Sequence, residues 1–153
     1  IQDKELGIEI SPPAGWEKSD STFSNSGTLK ELRAIEMLVG SPKHFFQHNQ
    51  TNSLCILSKS ATNSVKNTEN LILRAKSGLE KQFPSAKIST ATFLKDKILV
   101  HQIMLLSPEY VILKLVCELD KLKAFEVVYI LPKNAYADQL RAIESSIGSI
   151  LGL

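Results

Sequence analysis

Several catalytic and binding signatures are missing from this chain of 153 residues. Its seven glycines are dispersed and form no phosphate-binding loop, and no serine stands in a Gly-x-Ser-x-Gly turn. Its two cysteines form neither a Cys-x-x-Cys pair nor the ligand spacing of a zinc site. We therefore expect a protein without catalytic residues and without a cofactor, and not an enzyme.

The chain also has no large excess of positive or negative charge. The net charge is only +2, and the lysines and arginines are scattered along the chain. No basic stretch is interleaved with aromatic residues, as a single-strand-binding surface would require. We expect no nucleic-acid partner.

No apolar run is long enough to cross a membrane, which takes about 20 residues. The longest such segment, residues 98–106, is interrupted by His101 and Gln102. The chain begins Ile-Gln rather than with Met, so either the chain was trimmed or a leader was removed, and a missing export signal is a common reason for trimming. We expect an exported protein of the bacterial periplasm or outer envelope, which a removed N-terminal segment could tether to a membrane.

The two cysteines, Cys55 and Cys117, lie inside apolar, strand-like runs. They could be two small buried hydrophobic residues, or a disulfide across the sheet if the compartment is oxidising. We favour two separate thiols.

Short segments of alternating or continuous apolar residues predict β-strands. Their connections are short, so neighbouring strands should form antiparallel hairpins. The predicted strands are residues 5–10, two strands within 44–60, and residues 87–95, 97–106, 111–119 and 124–131.

Two segments predict amphipathic helices. Residues 69–83 place Ile72, Ala75, Leu79 and Phe83 on one stripe, with Asn67 or Thr68 as the cap and Pro84 at the end. Residues 134–153 form the second helix, with Asn134 as the cap. Its stripe is Tyr136, Leu140, Ile143, Ile147 and Ile150. Residues 28–40 fit either a helix or a strand, and we favour the helix.

The strand of residues 97–106 is apolar on both faces, so the sheet must be covered on both sides. Each helix offers one apolar stripe that must be buried. The prediction is a single α+β domain over residues 1–153, a three-layer α/β/α sandwich around a mainly antiparallel sheet.

The stretch PPAGW, residues 12–16, follows the first strand. Pro12 and Pro13 cannot donate to a β-ladder, so strand pairing must stop there. Gly15 permits a sharp turn, and we expect Trp16 to pack into the core rather than stack on a ligand.

Three histidines are candidates for chemistry. His44 and His48 lie on one face of a strand but about 13 Å apart, too far to hold one ion, so they are weak metal candidates. We expect His101 to be a core histidine with its hydrogen bonds satisfied.

Charged residues interrupt the apolar strands at Lys114, Glu118 and Glu126. They could line a polar pocket at the end of the sheet, but we favour solvated cross-strand pairs. The predicted binding surface comprises His44, Phe46, His48, Asn49, Lys114 and Glu118.

Three pieces of the chain together resemble the PsbP-like superfamily: IEISPPAGW at 8–16, TNSLCIL at 51–57, and AFEVVYILPKNAYADQLRAIESSIGSI at 124–150. The resemblance implies an α/β/α sandwich around an antiparallel sheet. It also implies a role as a binding or assembly subunit, and it brings no catalytic motif to these positions. Residues 24–43 are longer than the family pattern.

The favoured function is a non-catalytic exported binding or assembly protein with a protein or small-molecule partner. One alternative is a carrier of a small molecule or lipid, with a cavity between sheet and helix. The other is a hydrolase, which would need serine or histidine side chains that converge in a cleft.

Overall fold

The computed structural model describes residues 1–19, 41–60, 65–120 and 123–153. The region predicted as a helix, residues 28–40, lies outside these ranges. The elements in chain order are β1 (Gln2–Asp3), β2 (Ile8–Glu9), β3 (Glu17–Ser19), β4 (Ser41–His48), β5 (Ser53–Lys59), α1 (Val65–Gln82), β6 (Lys87–Lys95), β7 (Ile98–Leu106), β8 (Tyr110–Asp120), β9 (Lys123–Pro132), α2 (Lys133–Gly148) and β10 (Leu151–Gly152).

Seven of the strands form the main sheet, in the order β3-β4-β5-β9-β8-β7-β6, and every pair is antiparallel. Strands β6 to β9 are joined by short hairpins, as predicted. Asp96, between β6 and β7, has φ +55°, the left-handed conformation that a tight turn needs and that Asp tolerates.

The two helices pack on opposite faces of this sheet. On one face, Ala75 and Leu79 of α1 join a buried cluster with residues such as Val128 and Ile130. On the other face, Ile143 of α2 joins a larger cluster. Neighbouring residues of one strand project to opposite faces, so this division confirms the three-layer α/β/α sandwich.

The chain termini form a second, three-stranded sheet, β1-β2-β10, on the α2 side. The predicted strand over residues 5–10 is therefore too long: the chain turns before β2, where Gly7 has φ +73°. The predicted inward face is correct, since Leu6, Ile8 and Ile10 are all buried.

Both helices have different ends from those predicted. α1 begins at Val65, so Asn67 and Thr68 do not precede it as caps. α2 begins at Lys133, directly after Pro132, and has no side-chain cap. The backbone N–H of Lys133 instead donates to the Glu109 carbonyl at 2.9 Å, which gives one N–H of the first turn a partner outside the helix.

The end of α2 is also earlier than predicted. The helix stops at Gly148, and Ile150 is buried just beyond it rather than on the helical stripe. Ser149 holds this exit, since its Oγ donates to the Ser146 carbonyl and accepts the backbone N–H of Ser11 at 2.8 Å. The chain can then turn into β10.

The PPAGW element behaves as predicted. The Trp16 backbone N–H donates to the Pro13 carbonyl at 3.0 Å, and Gly15 has φ +85°. The Trp16 ring is buried and meets Tyr129 edge-on, while its Nε1 donates to Gln139 Oε1 of α2 at 2.8 Å. The tryptophan thus fastens the N-terminal segment to α2.

Candidate functional site

A set of polar and charged side chains lies on the α1-facing side of the main sheet, beyond the apolar cluster. The strand register places Ser58 opposite Glu126, which lies opposite Val116, and Val116 lies opposite His101. Opposed residues project to the same face, so the polar members share one side of the sheet. We call Ser58, His101, Lys114, Glu118 and Glu126 the buried polar cluster.

Its centre is an ion pair between Lys114 and Glu126. Nζ and Oε1 are 3.3 Å apart, and the side chains are only 2% and 1% exposed. Burial lowers the pKa of Lys114, and the Glu126 carboxylate opposes this shift. The prediction of solvated cross-strand pairs is therefore wrong for these residues and for Glu118, which is also buried.

Beside this pair, His101 approaches Glu118, with 3.6 Å between Nε2 and Oε2. The other ring nitrogen of His101 lies 3.4 Å from the hydroxyl of Thr92 on β6. Among the described residues, His101 Nε2, Glu118 Oε1 and Ser58 Oγ are buried atoms without a hydrogen-bond partner. The predicted core histidine is therefore nearly buried, but its hydrogen bonds are not all satisfied.

The buried polar cluster reduces stability. A buried polar atom without a partner costs about 1–3 kcal/mol, and a buried ion pair is often less stable than an apolar replacement. Buried titratable groups of this kind concentrate at functional sites, although structural networks also form them. The cluster is thus a candidate site, and the polar pocket predicted as the alternative for Lys114, Glu118 and Glu126 describes these residues better than the favoured solvated pairs.

His44 and His48 lie on the opposite face of the sheet. His44 Nε2 is 2.7 Å from Asp3 Oδ2, and Asp3 also accepts the backbone N–H of Leu6 at 2.8 Å. The Leu6 bond lowers the pKa of Asp3, and His44 and Lys43 lower it further. His44 therefore helps to fix β1 against β4.

His48 has different neighbours. Its Nδ1 is 2.7 Å from the hydroxyl of Thr51, which is itself 2.7 Å from that of Ser53, and its ring lies 6.1 Å from the Trp16 ring. Within residues 1–19, 41–60, 65–120 and 123–153, no three His, Cys, Asp or Glu side chains are close enough to share a metal. The two weak metal candidates thus have no third ligand there.

The predicted binding surface is only partly at the surface. Phe46 is buried in the α2-side cluster, and Lys114 and Glu118 are buried on the α1 side. His44 and His48 are half-buried, and Asn49 is exposed at the β4–β5 turn. The binding role of these last three residues stays a prediction. So does the hydrolase alternative, since each histidine lies near an acid or hydroxyl group.

The two cysteines are free and buried, and the register separates them. Cys55 lies opposite Tyr129, which lies opposite Leu113, whereas Cys117 is four residues farther along β8. That offset is about 13 Å along the strand and two strands across, well beyond the roughly 7 Å limit of a disulfide. Burial raises the pKa of both thiols, which suits two inert core residues.

A cavity of about 470 Å³ opens at one end of the main sheet. It lies between the β6–β7 and β8–β9 hairpin ends and strand β10 of the small sheet. Its lining residues are Gly7, Asp96, Lys97, Ile98, Leu119, Lys123, Leu151, Gly152 and Leu153. Sequence reasoning did not predict this cavity, because its walls come from four separate segments of the chain.

Neither described helix has the length and apolar composition that a membrane crossing requires.

The described architecture is a three-layer α/β/α sandwich, with a seven-stranded antiparallel sheet and a small sheet made by the chain termini. No protein-family model and no curated protein sequence matches the chain.

The solved structures include a similar fold. The solution structure of cyanobacterial PsbP (CyanoP) from Synechocystis sp. PCC 6803 superposes with a TM-score of 0.60 over 100% of this chain and 91% of that chain. The sequence identity is 10%, so the likeness concerns the fold alone. The chain has a PsbP-like fold, which confirms the predicted fold class.

Proposed function

We propose that this chain is a non-catalytic, exported binding or assembly protein that pairs with an extended segment of a partner protein along strand β6. The single observation that supports it is the open edge of the main sheet. The edge of a sheet presents unpaired N–H and C=O groups that can receive another strand. The PsbP-like fold supports a binding role, in line with the expectation from the resemblance.

Strand β6 has the features of an edge that accepts a partner. It runs for nine residues and pairs with β7 without a register shift. Among the described residues, β7 is its only neighbouring strand. Its sequence, KISTATFLK, has charges only at its two ends, and most of its residues are exposed, including Leu94 at 71%.

The opposite edge of the sheet looks protected. Strand β3 carries Glu17 and Lys18 and follows the proline pair. Charge and nearby proline are devices that keep an edge from pairing with other chains. Strand β6 has no proline, no bulge and no central charge, so it is the edge where strand addition fits.

The experiment is a comparison of three proteins in affinity capture from the native cells. Ala91→Lys places a charge in the centre of the β6 edge, and Ser77→Lys places the same charge on the exposed side of α1 as a control. We expect one partner to be captured by the wild type and by Ser77→Lys, but not by Ala91→Lys. The captured partner should also slow amide hydrogen exchange along β6.

The proposal fails if Ala91→Lys captures the same partner as the wild type, or if the exchange of β6 amides does not change in the complex. Export is tested separately, by fractionating cells that express the full-length gene. Recovery of the protein in the cytoplasm would overturn the proposed compartment without affecting the role of β6.

The cavity favours a second candidate function, a carrier of small molecules. Its position differs from the predicted one between sheet and helix, because neither of the two described helices contributes a lining residue. It is also open to solvent rather than closed, which suits exchange with a ligand at the surface.

A further inference from the structure

We infer that, in the free protein, strand β6 pairs with β6 of a second copy of this chain and forms a dimer with two-fold symmetry. The inference rests on the proposed function of β6 as an edge that accepts a strand, and it names the occupant of that edge before a partner segment displaces it. Three features of β6 point to it: the hydrogen-bond pattern of its backbone, the order of its side chains and their exposure.

The outer edge of β6 presents the backbone groups of its even-numbered residues. The Ser107 N–H donates to the Tyr110 carbonyl at 2.9 Å, so this opposed pair, which continues the β7–β8 register, is hydrogen-bonded. Bonded and non-bonded pairs alternate along an antiparallel ladder, so odd-numbered residues of β7 bond to β8 and even-numbered ones to β6. Gln102 lies opposite Ala91, so the odd-numbered residues of β6 bond to β7. The residues whose N–H and C=O groups point outward are Ile88, Thr90, Thr92 and Leu94.

These outward-pointing residues are complementary to themselves when two copies pair antiparallel. Ala91 is the middle residue of β6, so the register that pairs the whole strand places it opposite itself on the two-fold axis. In that register Ile88 lies opposite Leu94 of the second copy, and Thr90 lies opposite Thr92. Apolar pairs and threonine pairs are favourable cross-strand neighbours, and the symmetry forms each of them twice.

The second copy would cover apolar surface that is in contact with water. Leu94 is 71% exposed, and Thr90 and Thr92 are exposed as well, so α1 leaves the centre of this edge open. In the dimer Leu94 would meet Ile88 of the second copy, which is half-buried at the border of the α1-side cluster. Burial of this apolar surface favours association.

Charge opposes the dimer only at the two ends of the strand pair. Lys87 would lie opposite Lys95 of the second copy, and like charges in that position are unfavourable. The Lys95 ammonium is engaged within its own copy, where it lies 3.5 Å from Asp96 Oδ2 and donates to the Ile150 carbonyl. The Asp96 carboxylate is exposed beside it, and both ends lie in solvent, where salt screens the repulsion. The end pairs therefore weaken the dimer without preventing it.

The dimer should be weak. Stable complexes usually bury about 800 Å² on each partner, and a contact one strand wide is small beside that, so we expect a dissociation constant in the micromolar range. A weak dimer suits an edge that accepts a partner segment, because that segment can displace the second copy.

The first test locates the two-fold axis by cysteine cross-linking of the purified protein. Opposed residues of a non-hydrogen-bonded pair have Cα atoms about 4.5 Å apart, within disulfide range, so oxidised Ala91→Cys should form a covalent dimer. Ser89→Cys is the matched control on the same face of β6. Ser89 lies opposite Phe93 of the second copy, so the two introduced thiols would be about 13 Å apart and should not cross-link. Cys55 and Cys117 are free and buried, so the wild type should form no covalent dimer.

The second test probes the same contact by charge. Ala91→Lys and Ala91→Glu each place like charges on the two-fold axis, so each variant alone should sediment as a monomer at concentrations where the wild type is dimeric. An equimolar mixture should dimerise again, because each lysine then faces a glutamate. Ala91 is exposed, so both variants should melt at the temperature of the wild type.

Three results would overturn the inference. The first is a wild type that sediments as a monomer up to its highest soluble concentration. The second is equal cross-linking of Ala91→Cys and Ser89→Cys. The third is a mixture of the two charge variants that stays monomeric.

Capture of a partner distinguishes this inference from the proposed function. The cross-linked Ala91→Cys dimer should capture no partner from an extract of the native cells, and its reduced form should capture the partner again. Capture by the cross-linked dimer would overturn strand addition by a partner protein and leave the dimer standing. A monomeric wild type that still captures its partner through β6 would overturn the dimer and leave strand addition standing.

Discussion

The two faces of the main sheet bury polar groups in different ways. On the α2 side the fully buried hydroxyls of Tyr129 and Ser146 are neutral and paired: they lie 3.0 Å apart, and Ser146 donates to the Ser11 carbonyl at 2.7 Å. On the α1 side the buried groups include Lys114 and Glu126, together with atoms that have no hydrogen-bond partner among the described residues.

This difference indicates different roles for the two faces. Neutral, satisfied hydrogen bonds in a low-dielectric core fix one packing arrangement at little risk to stability. A buried ion pair often contributes less stability than an apolar replacement, and a buried polar atom without a partner costs about 1–3 kcal/mol. The α2 side thus holds the termini and the sheet together, whereas the α1 side carries the groups that are candidates for function.

The largest expected effect follows from breaking the ion pair on the α1 side. Lys114→Met should destabilise the protein by about 3–5 kcal/mol, because Glu126 would remain charged in a buried position. The double variant Lys114→Met with Glu126→Leu should recover most of this loss. Urea denaturation of both variants measures it, with the exposed Lys87→Met as the control. If Lys114→Met left the free energy of unfolding unchanged, the claim that the two faces bury polar groups at different cost would be wrong.

A smaller loss is expected from the corresponding change on the α2 side. Tyr129→Phe removes the hydroxyl that meets Ser146 but keeps the buried ring, so the free energy of unfolding should fall by about 1 kcal/mol. Denaturation midpoints relative to the wild type provide the measurement. A loss as large as that of Lys114→Met would show that the neutral face is as sensitive as the charged one.

Replacing a buried serine with alanine should have different effects on stability at the two faces. Ser58→Ala removes a buried hydroxyl that has no hydrogen-bond partner in the described part of the chain, so stability should stay equal or rise by up to about 1 kcal/mol. Ser146→Ala removes a hydroxyl with two partners and should lower stability by about 1 kcal/mol. Thermal melting of the two variants side by side checks this, and equal losses would contradict it.

The smallest effect concerns pH. The pKa of Asp3 is lowered in the folded protein, first by the backbone N–H of Leu6 and then by His44. Its contribution to stability is therefore present above the unfolded pKa of 3.8 and is lost as the pH falls through the folded value.

Asp3→Asn should make the decline of stability below about pH 4 less steep, while His44→Gln should do so only in part, because the Leu6 bond remains. Stability curves at several pH values measure both slopes. An unchanged slope in Asp3→Asn would exclude this carboxylate as a source of acid sensitivity.

The sequence by itself determined most of the fold. The continuous apolar strands between residues 97 and 131 required a sheet covered on both sides, and the stripes through Leu79 and Ile143 required two helices to cover it. The proline pair before Trp16 ended the first strand and directed the ring inward. These features follow from local periodicity and from the covalent limits of proline, so they can be predicted without tertiary information.

The tertiary structure alone decided the rest. A charge on a strand, such as Lys114 or Glu118, can be solvated or buried even on a sheet with a layer on each face, because a layer does not cover every strand position, and no local pattern tells which positions it covers. The distance between the cysteines depends on strand order and register, and the cavity depends on four segments meeting at one end of the sheet. Contacts between distant parts of the chain determine burial, and burial gives these polar groups their candidate role.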